Sequence, residues 1–235
     1  MKRFYLFVVG LLLLQTCIAQ QIPLFTQYRN NIGILNPAAL NADFHVNEHY
    51  LSFGASYRNQ WVGLEGAPET QTIRGEYLYD TGNKFSFLSG GYIVNDQTGP
   101  TGFTGAYARL AGVLTDDPYF GGLAIGLNIG MVQYRVNASE LRLRDEGDIL
   151  TMEDQTKMFP DVGFGIYYYK LIEGGRLDDD LIYGGISVPQ IFGLNLDFPD
   201  ETGTFSTQRV QHFYGLIGLY PVSYTHLTLP TKRIV

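Results

Sequence analysis

Apolar and polar residues alternate along most of this chain with a period of two. From Thr72 to Tyr79 one face reads Ile73, Gly75, Tyr77, Tyr79 and the other Thr72, Arg74, Glu76. Between Leu123 and Arg135 the apolar face is Leu123, Ile125, Leu127, Ile129 and Met131, against Ala124, Gly126, Asn128 and Gly130. Val162, Phe164, Ile166 and Tyr168 oppose Asp161, Gly163, Gly165 and Tyr167. Phe213, Gly215, Ile217 and Leu219 oppose Tyr214, Leu216, Gly218 and Tyr220. Successive side chains of a strand point to opposite faces, so the pattern predicts strands with two distinct surfaces. Further candidates are Tyr50–Tyr57, Phe85–Asn95, Phe103–Leu114 and Leu181–Val188, separated by stretches such as Asp80-Thr81-Gly82-Asn83, Asp116-Asp117-Pro118 and Glu173-Gly174-Gly175. About eight strands result, many near the roughly 9–11 residues that cross a bilayer at a tilt.

Two other architectures share this pattern. A soluble β-sandwich also alternates, and Gly122, Gly126 and Gly130 have the spacing of a helical Gly-x-x-x-Gly contact face. The helical alternative is weakened because the apolar run is short, Asn128 interrupts it and the neighbouring segments alternate. In a strand the three glycines share one face, where the interior of a barrel favours small residues. Composition separates barrel from sandwich: 17 Tyr and 15 Phe bring aromatics to 14%, with 28 Gly. Tyrosines gather at strand ends (Tyr77 and Tyr79, Tyr167 to Tyr169, Tyr214 and Tyr220), as in the interfacial girdles of membrane barrels. Arg74, Glu76 and Arg109 fall on the face opposite the apolar one, where a wet lumen would place them. The fold class expected is all-β: an antiparallel outer-membrane β-barrel, incomplete in this chain.

The ends of the chain carry separate signals. Lys2 and Arg3 precede an apolar run from Phe4 to Leu14, and Cys17 and Ala19 are small residues placed for a cut. This is the form of a secretory signal peptide over 1–19. A membrane anchor would need about 20 apolar residues, and a lipoprotein signal would normally place Gly, Ala or Ser where Thr16 stands before Cys17. Cys17 is the single cysteine, so the mature chain would hold no disulfide or thiol site. The partial barrel is expected over 20–221. The segment 222–235, "VSYTHLTLPTKRIV", breaks with the aromatic-glycine style before it and is expected to be a non-native tail on a truncated chain.

Charge and candidate chemistry mostly exclude functions. The formal net charge is −7, becoming −9 when Lys2 and Arg3 leave with the signal, and no basic stripe suits nucleic acid. The acidic groups Asp116-Asp117, Asp145-Glu146-Gly147-Asp148 and Asp178-Asp179-Asp180 read as solvated loop tips, without calcium-loop spacing. Neither Gly-x-Ser-x-Gly nor His-Glu-x-x-His occurs. His45 and His49, with Glu48 between, would face one way on a helix. Their neighbours Phe44, Val46, Tyr50 and Phe53 fit the approach to a strand better than a metal site. His212 reads as a surface or rim residue, and His226 lies in the suspect tail. No enzyme, cofactor or metal is expected.

Three segments carry more than periodicity. "QQIPLFTQYRNNIGILNPAAL" contains Pro23, Phe25, Gln27, Tyr28, Asn36, Pro37 and Ala38. "YRNQWVGLEGAPET" contains Tyr57, Arg58, Gln60, Trp61, Gly66, Ala67, Pro68 and Thr70. "VNDQTGPTGFTGAYA" contains Asp96, Gly99, Pro100 and Tyr107, and "YGGISVPQIFG" follows later. In this order behind a signal peptide they resemble the PorP/SprF family of type IX secretion system membrane proteins. The resemblance implies a non-enzymatic outer-membrane barrel that works with a secreted, adhesin-like substrate and other secretion components, in some members linked to gliding motility. A passive porin is the competing class. The Tyr57-to-Thr70 segment reads as a corner at the membrane interface, with Trp61 at headgroup level and Pro68 ending the ladder. Direct contact of the same residues with a partner at the barrel rim is the alternative. Asn36-Pro37-Ala38 reads as a turn, and Phe25 to Tyr28 as a plug, a strap or the lead-in to the first strand.

Overall fold

The computed structural model describes residues 28–47, 49–137, 155–172, 180–192, 195–200, 203–208 and 211–221. Eight antiparallel strands form one open, curled sheet, a half-barrel: β1 (Leu51–Asn59), β2 (Glu69–Asp80), β3 (Phe85–Thr98), β4 (Thr101–Asp117), β5 (Gly121–Val136), β6 (Gln155–Leu171), β7 (Leu181–Val188) and β10 (Tyr214–Tyr220). They pair in chain order from β1 to β7, then β7 with β10. Between these last two, β8 (Asn195–Asp200) and β9 (Gly203–Gln208) make a separate hairpin that the periodicity does not announce. Among the described residues β1 and β10 pair on one side only. No described helix is long and apolar enough to cross a membrane.

The two faces predicted by the alternation are the two faces of this sheet. On the convex side Ile73, Tyr77, Leu123, Ile125, Leu127, Ile129 and Phe164 are exposed, and Ile166 is half-buried beside them. The five apolar residues of β5 from Leu123 to Met131 cover about 27 Å of strand. At a typical tilt that approaches the roughly 25 Å apolar band of a membrane barrel. The register extends the band sideways: Leu127 pairs with Leu110 and Phe164, and Ile125 pairs with Ile166.

The concave face departs from the expected wet lumen. Arg74, Glu76 and Arg109 do point inward, but all three are buried. What covers them is the segment before β1: a 3-10 turn (Tyr28–Asn31), the short helix α1 (Ile32–Leu35), and α2 (Ala42–Asn47). Ile32, Ala38, Ala39, Leu40 and Phe44 of this strap share an apolar core with Leu78, Leu88, Val113, Ala124 and Tyr167 of the wall. Helix α2 also replaces the strand-like approach read around His45. Phe44 supplies the reason: it sits fully buried in that core, and one helical turn brings it there.

The tyrosines divide in a way the sequence does not show. Tyr77, Tyr79 and Tyr168 face outward. Tyr169, Tyr167, Tyr183 and Tyr220 face inward in a row, in that order, with successive ring centroids 5.8 Å, 6.0 Å and 4.8 Å apart. Period two within "YYY" forces the split, since Tyr168 must oppose both neighbours. The guanidinium of Arg29 lies 4.7 Å over the Tyr220 ring and extends the row onto the strap.

Candidate functional site

Four sequence segments singled out for their motifs meet in pairs, and these two meeting places are the candidate site. The first pair is the strap and the β6–β7 wall. Asn36, fully buried, ends α1. Its Oδ1 accepts from the Ala38 backbone N–H at 2.9 Å, forming the turn expected of Asn36-Pro37-Ala38. Its Nδ2 donates to the Ile166 carbonyl at 3.0 Å and faces the Ile186 carbonyl at 3.5 Å, so one side chain bridges two adjacent strands. Nearby, Ser187 Oγ donates to the Leu35 carbonyl at 2.6 Å.

Small residues make room for this turn. Ala111, Gly126, Gly165 and Ser187 stand in one register row across β4, β5, β6 and β7. A Cβ on Gly126 would strike the Pro37 carbonyl, and one on Gly165 would strike the Asn36 side chain. The backbone of the strap therefore lies directly on the wall. Gly165→Leu is expected to lower stability by about 1–3 kcal/mol through overpacking and to release the strap. Faster proteolysis within 28–45, with the strands still resistant, is the measurement that checks it.

An ionic clamp holds the strap at its centre. Glu76, Gly90 and Arg109 are consecutive partners in a second row, and Gly90 leaves the space between the two charges open. Arg109, only 1% exposed, pairs with Glu76. Its Nε donates to the Pro37 carbonyl at 2.8 Å and its Nη2 donates to the Ala39 carbonyl. A planar guanidinium has donors in a fixed fork, which suits one carboxylate and two carbonyls at once. Arg74 adds a weaker tie, with Nη1 donating to Ser52 at 2.8 Å and Nη2 3.4 Å from Asp43 of α2. Asp43 in turn accepts from Ser52 Oγ at 2.6 Å.

His45, on α2 and outside the spanning strands, packs against Tyr169 with ring centroids 4.5 Å apart. Its Nδ1 faces the Tyr119 carbonyl at 3.3 Å. Burial lowers its pKa from 6.5 to about 4, although the Tyr119 carbonyl works in the opposite direction. The unfolded chain takes up this proton near pH 6.5 and the folded chain only near pH 4. Stability is therefore unaffected above that window and falls as the pH drops through it. A loss of about 3 kcal/mol between pH 7 and pH 4 is expected. Denaturant midpoints at both pH values check it, and His45→Phe should remove this part of the dependence.

The second meeting place is the rim at the far end of β1 and β2. The β1–β2 connection is tied to the β3–β4 turn by the Gly99 N–H, which donates to the Gly66 carbonyl at 2.9 Å. A Cβ on Gly66 would approach Gly99 Cα at 3.3 Å, on a backbone of φ 74° that already favours glycine. Gln60 N–H donates to the Pro68 carbonyl at 3.0 Å, and Arg58 Nη2 donates to Gln60 Oε1 at 2.5 Å. Tyr57 points outward from β1. Trp61 is 63% exposed and, among the described residues, is the one non-glycine position with positive φ, at 58°. A cleft of about 1060 Å³ opens between the two connections, lined by Asn59, Leu64, Glu65, Glu69, Gln97 and Pro100.

Of the residues singled out from sequence, Asn36 and Pro37 lie in the strap seat. Tyr57, Arg58, Gln60, Trp61, Gly66, Ala67 and Pro68 lie at the rim. Tyr28 opens the strap, and Pro23, Phe25 and Gln27 fall outside the described residues. Ser187 and Gly185 of the "YGGISVPQIFG" segment touch the strap, a contact that no local pattern in the sequence announces.

A family model for the type IX secretion system membrane protein PorP/SprF matches residues 17–229. The chain belongs to the PorP/SprF family. Searches of curated proteins and of solved structures found no match. For this PorP/SprF chain, the family and the half-barrel together place the protein in a membrane as a type IX secretion component. The strap seat and the rim are then parts of a barrel wall.

Proposed function

We propose that this protein acts in the outer membrane, after export by a cleavable signal over 1–19, as a non-enzymatic barrel that assists the export or surface attachment of one secreted, adhesin-like partner. Gliding motility is a process such display would serve. The observation that carries this reading is the PorP/SprF match over residues 17–229, most of the chain. The strap supports it over a passive porin, because Ile32 to Phe44 occupy the concave face that a conducting lumen would leave to water. Deleting the gene is expected to lower one particular protein at the cell surface while other type IX cargo is exported normally. Loss of all such cargo would assign the protein to the core translocation step instead.

A further inference from the structure

The β1–β2 loop carries a group of apolar side chains that the barrel wall does not explain. Trp61, Val62 and Leu64 are 63%, 83% and 66% exposed. The loop is not loose: Leu64 N–H donates to the Trp61 carbonyl at 3.1 Å, Ala67 N–H to the Leu64 carbonyl at 3.3 Å, and Gly99 anchors Gly66. Trp61 keeps a left-handed backbone, φ 58°, that a bulky side chain rarely adopts. These bonds present three apolar side chains in a fixed arrangement beside a polar cleft.

Lipid is the simplest occupant for exposed apolar residues on a membrane barrel, and the convex face argues against it here. Moving toward this rim, the outer residues of β2 change from Ile73 to Gln71 and Glu69. Those of β3 change from Ile93 to Asn95 and Gln97, and those of β5 from Met131 to Gln133 and Arg135. The register joins them into two rows: Gln71-Asn95-Thr104-Gln133, flanked by the outward Tyr57 of β1 and Met158 of β6 as at a headgroup level, and Glu69-Gln97-Gly102-Arg135, which Asn59 continues and which carries no apolar side chain. From Ile73 to Glu69 is four residues, about 13 Å of strand. At a 45° tilt this is still about 9 Å, against about 5–8 Å for the headgroup zone of one leaflet. The loop begins beyond that level, so its apolar tip stands in water rather than among headgroups.

We infer that Trp61, Val62 and Leu64 form a docking knob for a protein partner, which inserts an apolar side chain against the knob and a basic one into the adjoining cleft. Trp is among the residues most enriched at interface hot spots, and Val62 and Leu64 would help to exclude water around it. The basic character follows from complementarity with the cleft, where Glu65 and Glu69 are the charged lining residues. The inference deepens the proposed function by naming the contact surface, and for Trp61 it takes the partner contact at the rim over the headgroup-level corner.

Trp61 is the sole tryptophan, so its fluorescence reports on this loop alone. The full chain reconstituted in vesicles of dibrominated phosphatidylcholine is expected to keep a water-exposed emission without quenching. A photo-crosslinking residue at Leu64, introduced in the native membrane, is expected to give one discrete protein adduct. The adduct should fall at least five-fold with Trp61→Ser and with the Glu65→Lys/Glu69→Lys pair, and persist with Lys84→Ala at the opposite end of the wall. Quenching by brominated lipid overturns the inference. So does absence of an adduct, or an adduct indifferent to Trp61→Ser or to the charge reversals. If the surface protein still depends on the gene while the adduct is missing, the knob alone is refuted and the proposed function stands.

Discussion

Replacing Arg109 by Met is expected to lower the unfolding free energy by about 3–5 kcal/mol, the usual cost of breaking a buried ion pair from one side. The substitution keeps most of the side-chain volume, so packing contributes little. What it leaves is Glu76, 4% exposed and stripped of its closest cation, together with the Pro37 and Ala39 carbonyls without their donor. Arg74 does not take over, because its guanidinium lies 4.0 Å from the other Glu76 oxygen and is already engaged with Ser52 and Asp43. Urea titration of the chain folded into vesicles measures the loss. The double variant Arg109→Met/Glu76→Met should recover a large part of it, since no unpaired buried charge remains. If the double variant is as unstable as the single one, the carbonyls of the strap, and not the charge, carry the clamp.

Leu127→Arg is expected to cost about 2–4 kcal/mol in the same folding assay. Leu127 is 46% exposed on the convex face and is the central residue of the five apolar positions of β5, two steps from either end. Its register partners Leu110 and Phe164 are also apolar and exposed, so no nearby group offers the new charge a partner. Met131→Arg, at the polar end of the same strand, should cost only about 0–1 kcal/mol, because a long side chain there reaches the interface. The difference between the two positions measures depth in a bilayer directly. Equal costs would mean that the convex face is not in contact with hydrocarbon.

The period-two alternation determined by itself where the eight strands of the wall lie (though not the β8–β9 hairpin), which residues each face of the wall carries, and that the apolar face is long enough for a bilayer. These follow from a geometric rule that acts between neighbours: a strand turns each successive side chain to the opposite side. Ile73, Leu127 and Phe164 are therefore outside and Arg74, Glu76 and Arg109 inside, with no knowledge of what they touch. The ordered motifs likewise determined the family, since they need only be present in sequence.

What the inner residues touch was decided by the tertiary structure. Asn36 bonds to strands 130 and 150 residues away, and Arg109 bonds to a carbonyl 72 residues before it. No local period encodes such a separation. The polar inner face that alternation alone makes a wet lumen is instead a packed seat, because the strap supplies carbonyls to Arg109 and apolar side chains to the wall. The same holds for Tyr167 and Tyr169, which composition assigns to an interfacial girdle and the fold turns inward, where they stack on each other and Tyr167 meets Tyr183. At the rim, Gly66 and Gly99 are legible as turn residues, but only pairing of β2 with β3 brings the two turns together and opens the cleft between them.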